Sequence, residues 1–160
     1  MTDIETPPRG PTPRWFEDFH VGQSIVLGSR TVSRDEIVAF AAKWDPQPMH
    51  LEDGAGDASL LHGLSASGWH TGSLVMRLFC DNLLLGSASL GSPGIESLKW
   101  KKPVHPGDTI SAALIVAELR TSASRARLGF VRGHFEVTNQ RGELVMTMES
   151  TLMIGRREAA

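Results

Sequence analysis

The pattern of apolar and polar positions predicts one strand and one helix after an irregular opening. Residues 1–14 are rich in proline and polar residues and have no apolar period, so we expect a flexible arm there. Residues 24–32 are rich in β-branched side chains, which predicts a short strand. Ser33 is followed three residues later by Glu36, and this capping-box pattern marks the start of a helix.

Two prolines end this helix and separate it from a second, longer one. Pro46 and Pro48 lack an amide proton and disfavour helical geometry in the residue before them, so residues 44–56 should form a loop. Residues 63–85 have apolar side chains at helical spacing from their middle onward, which predicts a long central helix. The small residues at its start suit contact with a ligand, and they suit tight packing against a sheet equally well.

The rest of the chain has the alternation that is typical of strands. A glycine-rich joint at residues 85–94 should lead into three or four strands. The candidate segments are residues 95–104, 109–119, 127–137 and 143–154. A turn-type tetrapeptide at residues 139–142 predicts that the last two strands form an antiparallel hairpin. This order predicts an α+β hot-dog fold, in which an antiparallel β-sheet wraps around a long central helix.

Length and composition fit a single globular domain. The chain has 160 residues, of which 41% are hydrophobic, so we expect one domain at residues 15–155 and a C-terminal tail at residues 156–160. No secretory signal and no apolar run of roughly 18 residues is present, so we expect a cytoplasmic protein that does not bind membranes. A formal net charge of −2, without a broad basic excess, argues against binding to nucleic acid. Cys80 is the single cysteine and cannot form an internal disulfide.

The segment after the first helix concentrates polar side chains between two prolines. It contains Asp45, Gln47 and His50, and the prolines reduce the entropy cost of holding one loop conformation. A carboxylate and an imidazole close together can share a water molecule and exchange protons with it, which is the equipment of acid–base catalysis. The residues alone leave a second interpretation open, in which Asp45 caps a turn and His50 is an ordinary loop residue.

Several segments are similar to the MaoC-like dehydratases, which include the (R)-specific enoyl-CoA hydratases. The signature of that family is G-D-x-N-P-x-H, and WDPQPMH keeps its aspartate, proline and histidine as Asp45, Pro48 and His50. The resemblance extends over residues 15–154, through WFEDFHVGQ, RTVSRDEIVAFA, LLHGLSASG and KWKKPVHPGDTI. These segments resemble the opening strand, the first helix, the entry into the central helix, and a strand with its P-V-x-x-G-D turn.

The resemblance implies a site and a reaction. Asp45 and His50 would be the catalytic pair of an enzyme that reversibly hydrates a trans-2-enoyl-CoA and dehydrates a 3-hydroxyacyl-CoA. His50 would take a proton from the water, while Asp45 binds that water and passes a proton to the α-carbon. The amide of Gly63, at the expected start of the central helix, would polarise the thioester oxygen. The other substrate-binding residues would be Gln47, His62, Leu64 and Thr71.

The resemblance also implies partners. The substrate would be an acyl-CoA thioester that carries its own CoA, with no further cofactor, and the protein would be a homodimer or an assembly of dimers. No metal is expected, because the sequence has no ligand spacing such as His-x-x-x-His or Cys-x-x-Cys. Four basic residues could contact the CoA phosphates, and a solvated basic face is at least as good an interpretation of them. They are Arg77, Lys99, Lys101 and Lys102.

Two departures from the signature and two rival functions stay open. Trp44 and Gln47 stand where the signature has glycine and asparagine, and we expect them to alter specificity more than activity. A hot-dog thioesterase would need a carboxylate on or near the central helix, and residues 63–73 contain none. A non-catalytic acyl-CoA-binding subunit would keep the fold without the acid–base pair, whereas Asp45 and His50 are both present. The length and branching of the acyl group depend on pocket shape.

Overall fold

The structure is a computed structural model that describes residues 13–57 and 59–157, and it contains five antiparallel strands and three α-helices. The helices are α1 (Arg34–Trp44), α2 (Asp53–Asp57) and α3 (Gly68–Phe79). The strands are β1 (Ser24–Thr31), β2 (Ser89–Trp100), β3 (Thr109–Thr121), β4 (Leu128–Thr138) and β5 (Leu144–Gly155). The sheet has the order β1-β3-β4-β5-β2, and α3 packs across it. This arrangement confirms the predicted hot-dog fold.

The two ends of the chain fall mostly outside the described residues. The predicted arm is described only at its last two positions, and the predicted tail only at residues 156–157. Arg14 is bound to the body, since its amide donates to Gly86 O at 2.8 Å and its carbonyl accepts from Ala88 N at 2.8 Å. The segment at residues 15–23, which resembles an opening strand, contains a short 3-10 turn instead, and β1 begins only at Ser24.

Helix α1 begins and ends where the sequence predicts. The Ser33 side chain accepts a hydrogen bond of 3.2 Å from the amide of Glu36, which satisfies one of the free donors at the helix start. Ile37 and Ala41 are buried on one face. The helix ends at Trp44, directly before the first proline.

The expectation of an uninterrupted loop at residues 44–56 is wrong. A 3-10 turn spans Pro48–His50, and α2 begins at Asp53. A proline ends a preceding helix, yet its fixed φ and missing amide proton suit the first position of a new helical turn. Pro48 occupies that position, so the segment is folded more tightly than a loop.

The central helix begins later than predicted. The sequence places its start at Gly63, whereas α3 begins at Gly68 and is capped by Ser67. The preceding residues are held by distant partners, because Ser65 N donates to Met49 O at 3.2 Å and Ala66 N donates to Val104 O at 2.8 Å. These two bonds tie residues 65 and 66 to the turn after α1 and to the segment after β2, and the helix begins only beyond them. At its other end α3 continues into a π-helical turn at Cys80–Leu84.

Strand β2 also departs from the prediction. It begins at Ser89, inside the expected glycine-rich joint, and ends at Trp100, before the expected end of the strand. Gly91 and Gly94 have positive φ, and the register with β5 shifts three times between Ser89 and Ser97. Glycines that adopt such angles allow bulges, so a segment that looks like a joint can still pair as an irregular edge strand.

The core lies between α3 and the concave face of the sheet. Strand β3 alternates as predicted, with Ile110, Ala112, Leu114 and Val116 buried. Phe79 of α3 meets Phe135 of β4 edge to face, with ring centroids 5.0 Å apart. The predicted turn between β4 and β5 is confirmed by hydrogen bonds between residues 139 and 143. Within the described ranges, no helix is long and apolar enough to cross a membrane.

Candidate active site

The short turn after α1 brings Asp45 and His50 together. Asp45 follows the last residue of α1 and donates its amide to Ala41 O at 2.9 Å, and the amide of His50 donates to Gln47 O at 2.9 Å. The Nε2 atom of His50 then lies 3.6 Å from Oδ2 of Asp45. This separation is too long for a good hydrogen bond, but one water oxygen can lie within hydrogen-bond distance of both atoms.

The Asp45 carboxylate is held by two donors. Ser67 Oγ donates to Oδ2 at 2.6 Å, and Gln47 Nε2 donates to Oδ1 at 2.7 Å. The hydrogen bond from Ser67, followed by that from Gln47, holds the pKa of Asp45 below its usual value, while burial opposes the shift and His50 adds to it. Asp45 is therefore a negatively charged acceptor throughout the neutral range.

The tautomer of His50 follows from its hydrogen bond to the backbone. Nδ1 lies 2.7 Å from the carbonyl oxygen of Ser65, which can only accept, so Nδ1 carries a proton. In the neutral ring Nε2 then has a lone pair and can accept a proton. His50 is only 6% exposed, so its ring is held in this orientation by packing as well as by the hydrogen bond.

The pair opens onto a cavity of about 490 Å³ between the turn after α1, the start of α3 and the segment after β2. We call it the site cavity. Its walls include Asp45, His50 and Trp100, with residues 65–69 along one side. Among the residues that the structure describes, Asp45 is the one acidic side chain that lines it.

Two of the predicted substrate-binding residues lie on the site cavity and three do not. Gln47 and Thr71 line it. Leu64 is packed in the core, and His62 is exposed with a positive φ of 58°. Gly63 is not among the lining residues and does not belong to the first turn of α3, so the predicted role of its amide has no geometric support here.

The sequence marked the small residues around the start of α3 as suited to ligand contact, but it assigned no site role to those that immediately precede and begin the helix. Ser65, Ser67 and Gly68 line the site cavity beside the first-turn amides of the helix, which have no acceptor within the helix. A Cβ at Gly68 would overlap the ring of Trp100, so any larger residue there would displace that ring. The helix cap at Ser67 is a second signal that could have located this wall, since a serine before an apolar period is a common cap.

The two departures from the signature act differently. Trp44 is not among the residues that line the site cavity: it is 66% exposed, and Lys43 Nζ lies 4.9 Å from its ring centroid. Gln47 directly contacts the carboxylate of Asp45. Only the second departure therefore changes the immediate surroundings of the acid–base pair.

Of the four basic residues considered for contact with the CoA phosphates, two line the site cavity and two do not. Lys101 and Lys102 line the mouth of the site cavity, and Lys102 Nζ is paired with Glu143 Oε1 at 2.7 Å. Lys99 is not among the lining residues, and Arg77 is paired with Asp81 on the outside of α3 at 2.8 Å. In the part of the chain that the structure describes, no group of three acidic, histidine or cysteine side chains is arranged to hold a metal ion.

A second, mostly apolar cavity of about 390 Å³ lies between α3 and β2. We call it the apolar groove. Val75, Phe79 and Leu152 are among its lining residues, and Trp69 lines both this groove and the site cavity. The Trp69 ring meets the Trp100 ring edge to face, with centroids 5.3 Å apart. The two aromatic rings therefore lie where the polar and the apolar spaces adjoin.

Comparison with known proteins gives a consistent result. A family described as MaoC like domain matches residues 18–138. The (R)-specific enoyl-CoA hydratase of Rhodospirillum rubrum is 29% identical over 89% of this chain and 93% of its own length. The uncharacterized protein YdeM of Bacillus subtilis is 28% identical over 88% of this chain and 99% of its own length. The crystal structure of a MaoC-like dehydratase from Rhodospirillum rubrum superposes with a TM-score of 0.81 at 34% identity, over 91% of this chain and 99% of the other.

Proposed function

The chain belongs to the MaoC-like domain family, and from that premise we propose that it hydrates a trans-2-enoyl-CoA reversibly to a 3-hydroxyacyl-CoA. The observation that carries the proposal is the 3.6 Å separation between His50 Nε2 and Asp45 Oδ2 on the wall of the site cavity. That spacing fits one reacting water between a proton acceptor and a fixed negative charge.

In the hydration direction, His50 Nε2 takes a proton from the water as the water oxygen bonds to the β-carbon. The electron pair of the double bond moves toward the thioester oxygen, and the α-carbon then receives a proton. The lowered pKa of Asp45 favours the His50 imidazolium, rather than the predicted Asp45, as the donor of that proton. Asp45 orients the water and stabilises the imidazolium. Dehydration is the reverse sequence.

The negative charge that develops on the thioester oxygen needs a donor. We assign this to the amide of Gly68, because it belongs to the first turn of α3 and lies on the site cavity. Amides at a helix start have no helical acceptor and add the positive end of the helix dipole. Gly63, the residue that the sequence favoured, is less suitable because it lies outside the cavity lining.

The acyl chain would extend past Trp69 into the apolar groove, and Lys101 at the cavity mouth would face the CoA. The CoA is part of the substrate, so the proposal includes no separate cofactor. The proposed acyl group is an apolar chain, because the groove is lined mostly by aliphatic and aromatic side chains.

We also propose that two copies associate along β2. This strand is at the edge of the sheet, paired to β5 on one side, and its residues are mostly exposed. Leu90 and Ile95 are large apolar side chains that are more than half exposed there. An unpaired edge with apolar side chains is a template for pairing with a second strand. Light scattering should give the mass of a dimer or a multiple of it. A monomer at micromolar concentration would contradict the proposed association along β2.

A single assay tests the reaction. Purified protein is mixed with crotonyl-CoA, and the enoyl absorbance and the release of free thiol are followed together. Loss of the enoyl absorbance without thiol release is the expected result. Thiol release would indicate a thioesterase, and binding without either signal would indicate a non-catalytic acyl-CoA-binding subunit, so both outcomes would contradict the proposal.

A further inference from the structure

One hydroxyl on the site cavity is not used by the fold. Ser65 lines the cavity and is completely buried, at 0% exposed, yet its Oγ has no hydrogen-bond partner among the described residues. Ser67, two residues later, is equally buried, and its Oγ donates to Asp45. Buried hydroxyls in native proteins are nearly always paired, so an unpaired one on the wall of a binding cavity indicates a partner that the protein itself does not supply.

The hydroxyl of Ser65 cannot find a protein partner by a small movement of its backbone. The Ser65 amide donates to Met49 O at 3.2 Å, and its carbonyl accepts from His50 Nδ1 at 2.7 Å. Both bonds connect Ser65 to the turn that carries the catalytic histidine. The backbone of Ser65 is therefore fixed relative to His50.

The nearby acceptors are already engaged. Both oxygens of Asp45 accept hydrogen bonds, one from Ser67 and one from Gln47. The lone pair of His50 Nε2 faces Asp45 and the proposed water. None of these groups accepts a hydrogen bond from the Ser65 hydroxyl, and a ligand oxygen in the cavity could do so.

We propose that Ser65 is a further catalytic residue, whose Oγ–H donates a hydrogen bond to the thioester oxygen of the substrate. This inference rests on the proposed hydration reaction. As the electron pair of the double bond moves onto the thioester oxygen, the hydrogen bond from Ser65 strengthens beside that from the Gly68 amide. No covalent bond to Ser65 is made or broken during the reaction. Residues 65–68 form one wall of the site cavity, so both donors approach the same part of the substrate.

The Ser65→Ala variant tests this assignment, because it removes only the unpaired oxygen. We expect kcat for crotonyl-CoA hydration to fall about 10- to 100-fold with little change in KM, since the bond strengthens as charge develops. The free energy of unfolding should stay the same or rise, because no protein hydrogen bond is lost. Ser124→Ala, at an exposed serine, is the matched control and should leave both quantities unchanged.

The outcomes separate this inference from the proposed function. If the wild type hydrates crotonyl-CoA and Ser65→Ala keeps its kcat, the role of Ser65 is overturned and the proposed function stands. If neither protein hydrates any enoyl-CoA, both are overturned. A fall in kcat that is accompanied by a loss of folding stability would indicate a structural role and would also overturn the inference. Ser65→Cys, whose thiol is a weak donor of similar shape, should likewise lose kcat with the fold intact.

Discussion

The hydroxyl of Ser67 donates a hydrogen bond of 2.6 Å to Oδ2 of Asp45. The Oγ of Ser67 also accepts a hydrogen bond of 3.2 Å from the amide of Trp69. The residue that caps the central helix therefore also holds the carboxylate of the candidate site. Because one side chain makes both contacts, the start of α3 and the position of Asp45 are fixed together.

Replacing Ser67 should change the ionisation of Asp45. In Ser67→Ala the pKa of Asp45 should rise toward its usual value of 3.8, because the largest cause of its lowering is removed. The loss of the cap should also reduce the free energy of unfolding by about 0.5–2 kcal/mol. A carbon-detected NMR titration of the Asp45 carboxyl measures the first effect, and urea unfolding measures the second.

Ser33→Ala is the matched control for that variant. It removes the cap of α1 without touching Asp45, so it should reduce stability by a similar amount and leave the Asp45 titration unchanged. The wild type has a lowered pKa at Asp45, so the stabilisation from its ionised form is present above pH 3.8 and is lost as the pH falls further. Ser67→Ala should lose less stability over that acidic range. The same Asp45 titration in Ser67→Ala and the wild type would contradict this account.

His70 should make stability depend on pH in the weakly acidic range. It is 5% exposed and stacks on Phe40 with ring centroids 4.7 Å apart. Burial lowers the pKa of His70 below its usual value of 6.5, and Arg30 adds to this, while Glu36 opposes it. A histidine with a lowered pKa stabilises the fold above the unfolded value, so this stability should be lost as the pH falls below 6.5.

The check is urea unfolding of the wild type and His70→Phe across that range. The phenylalanine cannot titrate and can keep the stacking contact, so the variant should lose less stability on acidification than the wild type. His62→Gln removes an exposed histidine and should retain the wild-type dependence. Equal pH dependence in the wild type and His70→Phe would show that His70 is not the source.

His105 should stabilise the segment before α3. Its Nδ1 lies 2.9 Å from the carbonyl oxygen of Leu64, which belongs to the buried core. His105→Leu would leave that carbonyl without this donor, and we expect the free energy of unfolding to fall by about 1–3 kcal/mol. His20→Leu, at an exposed histidine, is the control. Denaturation midpoints that are the same in His105→Leu and the wild type would contradict the prediction.

Trp69 should influence the preferred length of the acyl chain. Its ring lies between the site cavity and the apolar groove and contacts Trp100 edge to face. Trp69→Ala would widen the passage, so kcat/KM for a trans-2-octenoyl-CoA should rise relative to that for crotonyl-CoA. Trp44→Ala, at a residue that lines neither space, should leave the ratio unchanged. A constant ratio in Trp69→Ala would place the acyl chain elsewhere.

The elements that the sequence predicts well are those determined by local rules. The capping pattern at Ser33 and the alternation of Ile110, Ala112 and Leu114 follow from backbone hydrogen bonding and from the burial of one face. These rules involve neighbours in the chain, so α1 and β3 could be predicted without the tertiary structure. The pairing of Asp45 with His50 was anticipated from the resemblance to the MaoC-like dehydratases, because their spacing around two prolines alone left an ordinary turn open, and the structure gives the distance.

The elements that the sequence predicts poorly depend on contacts with residues far away along the chain. Residues just before α3 are bound to distant parts of the chain, Ala66 to Val104 and Ser65 to Met49, and no local pattern records these contacts. Ser65 and Trp100 could not be placed on the site cavity for the same reason. Which small residue faces a cavity is decided by what packs opposite it, and that is a property of the folded chain.

The central claim is that Asp45 and His50 act on one water during hydration. The most direct measurement is the rate of crotonyl-CoA hydration by Asp45→Asn and His50→Gln, with circular dichroism to verify that each variant is folded. Asp35→Asn and His20→Gln change exposed residues of the same types and serve as controls. We expect each site variant to lose activity by a factor of about 10² to 10⁴ while the controls keep the wild-type rate. A near-normal rate in either folded site variant would contradict the account.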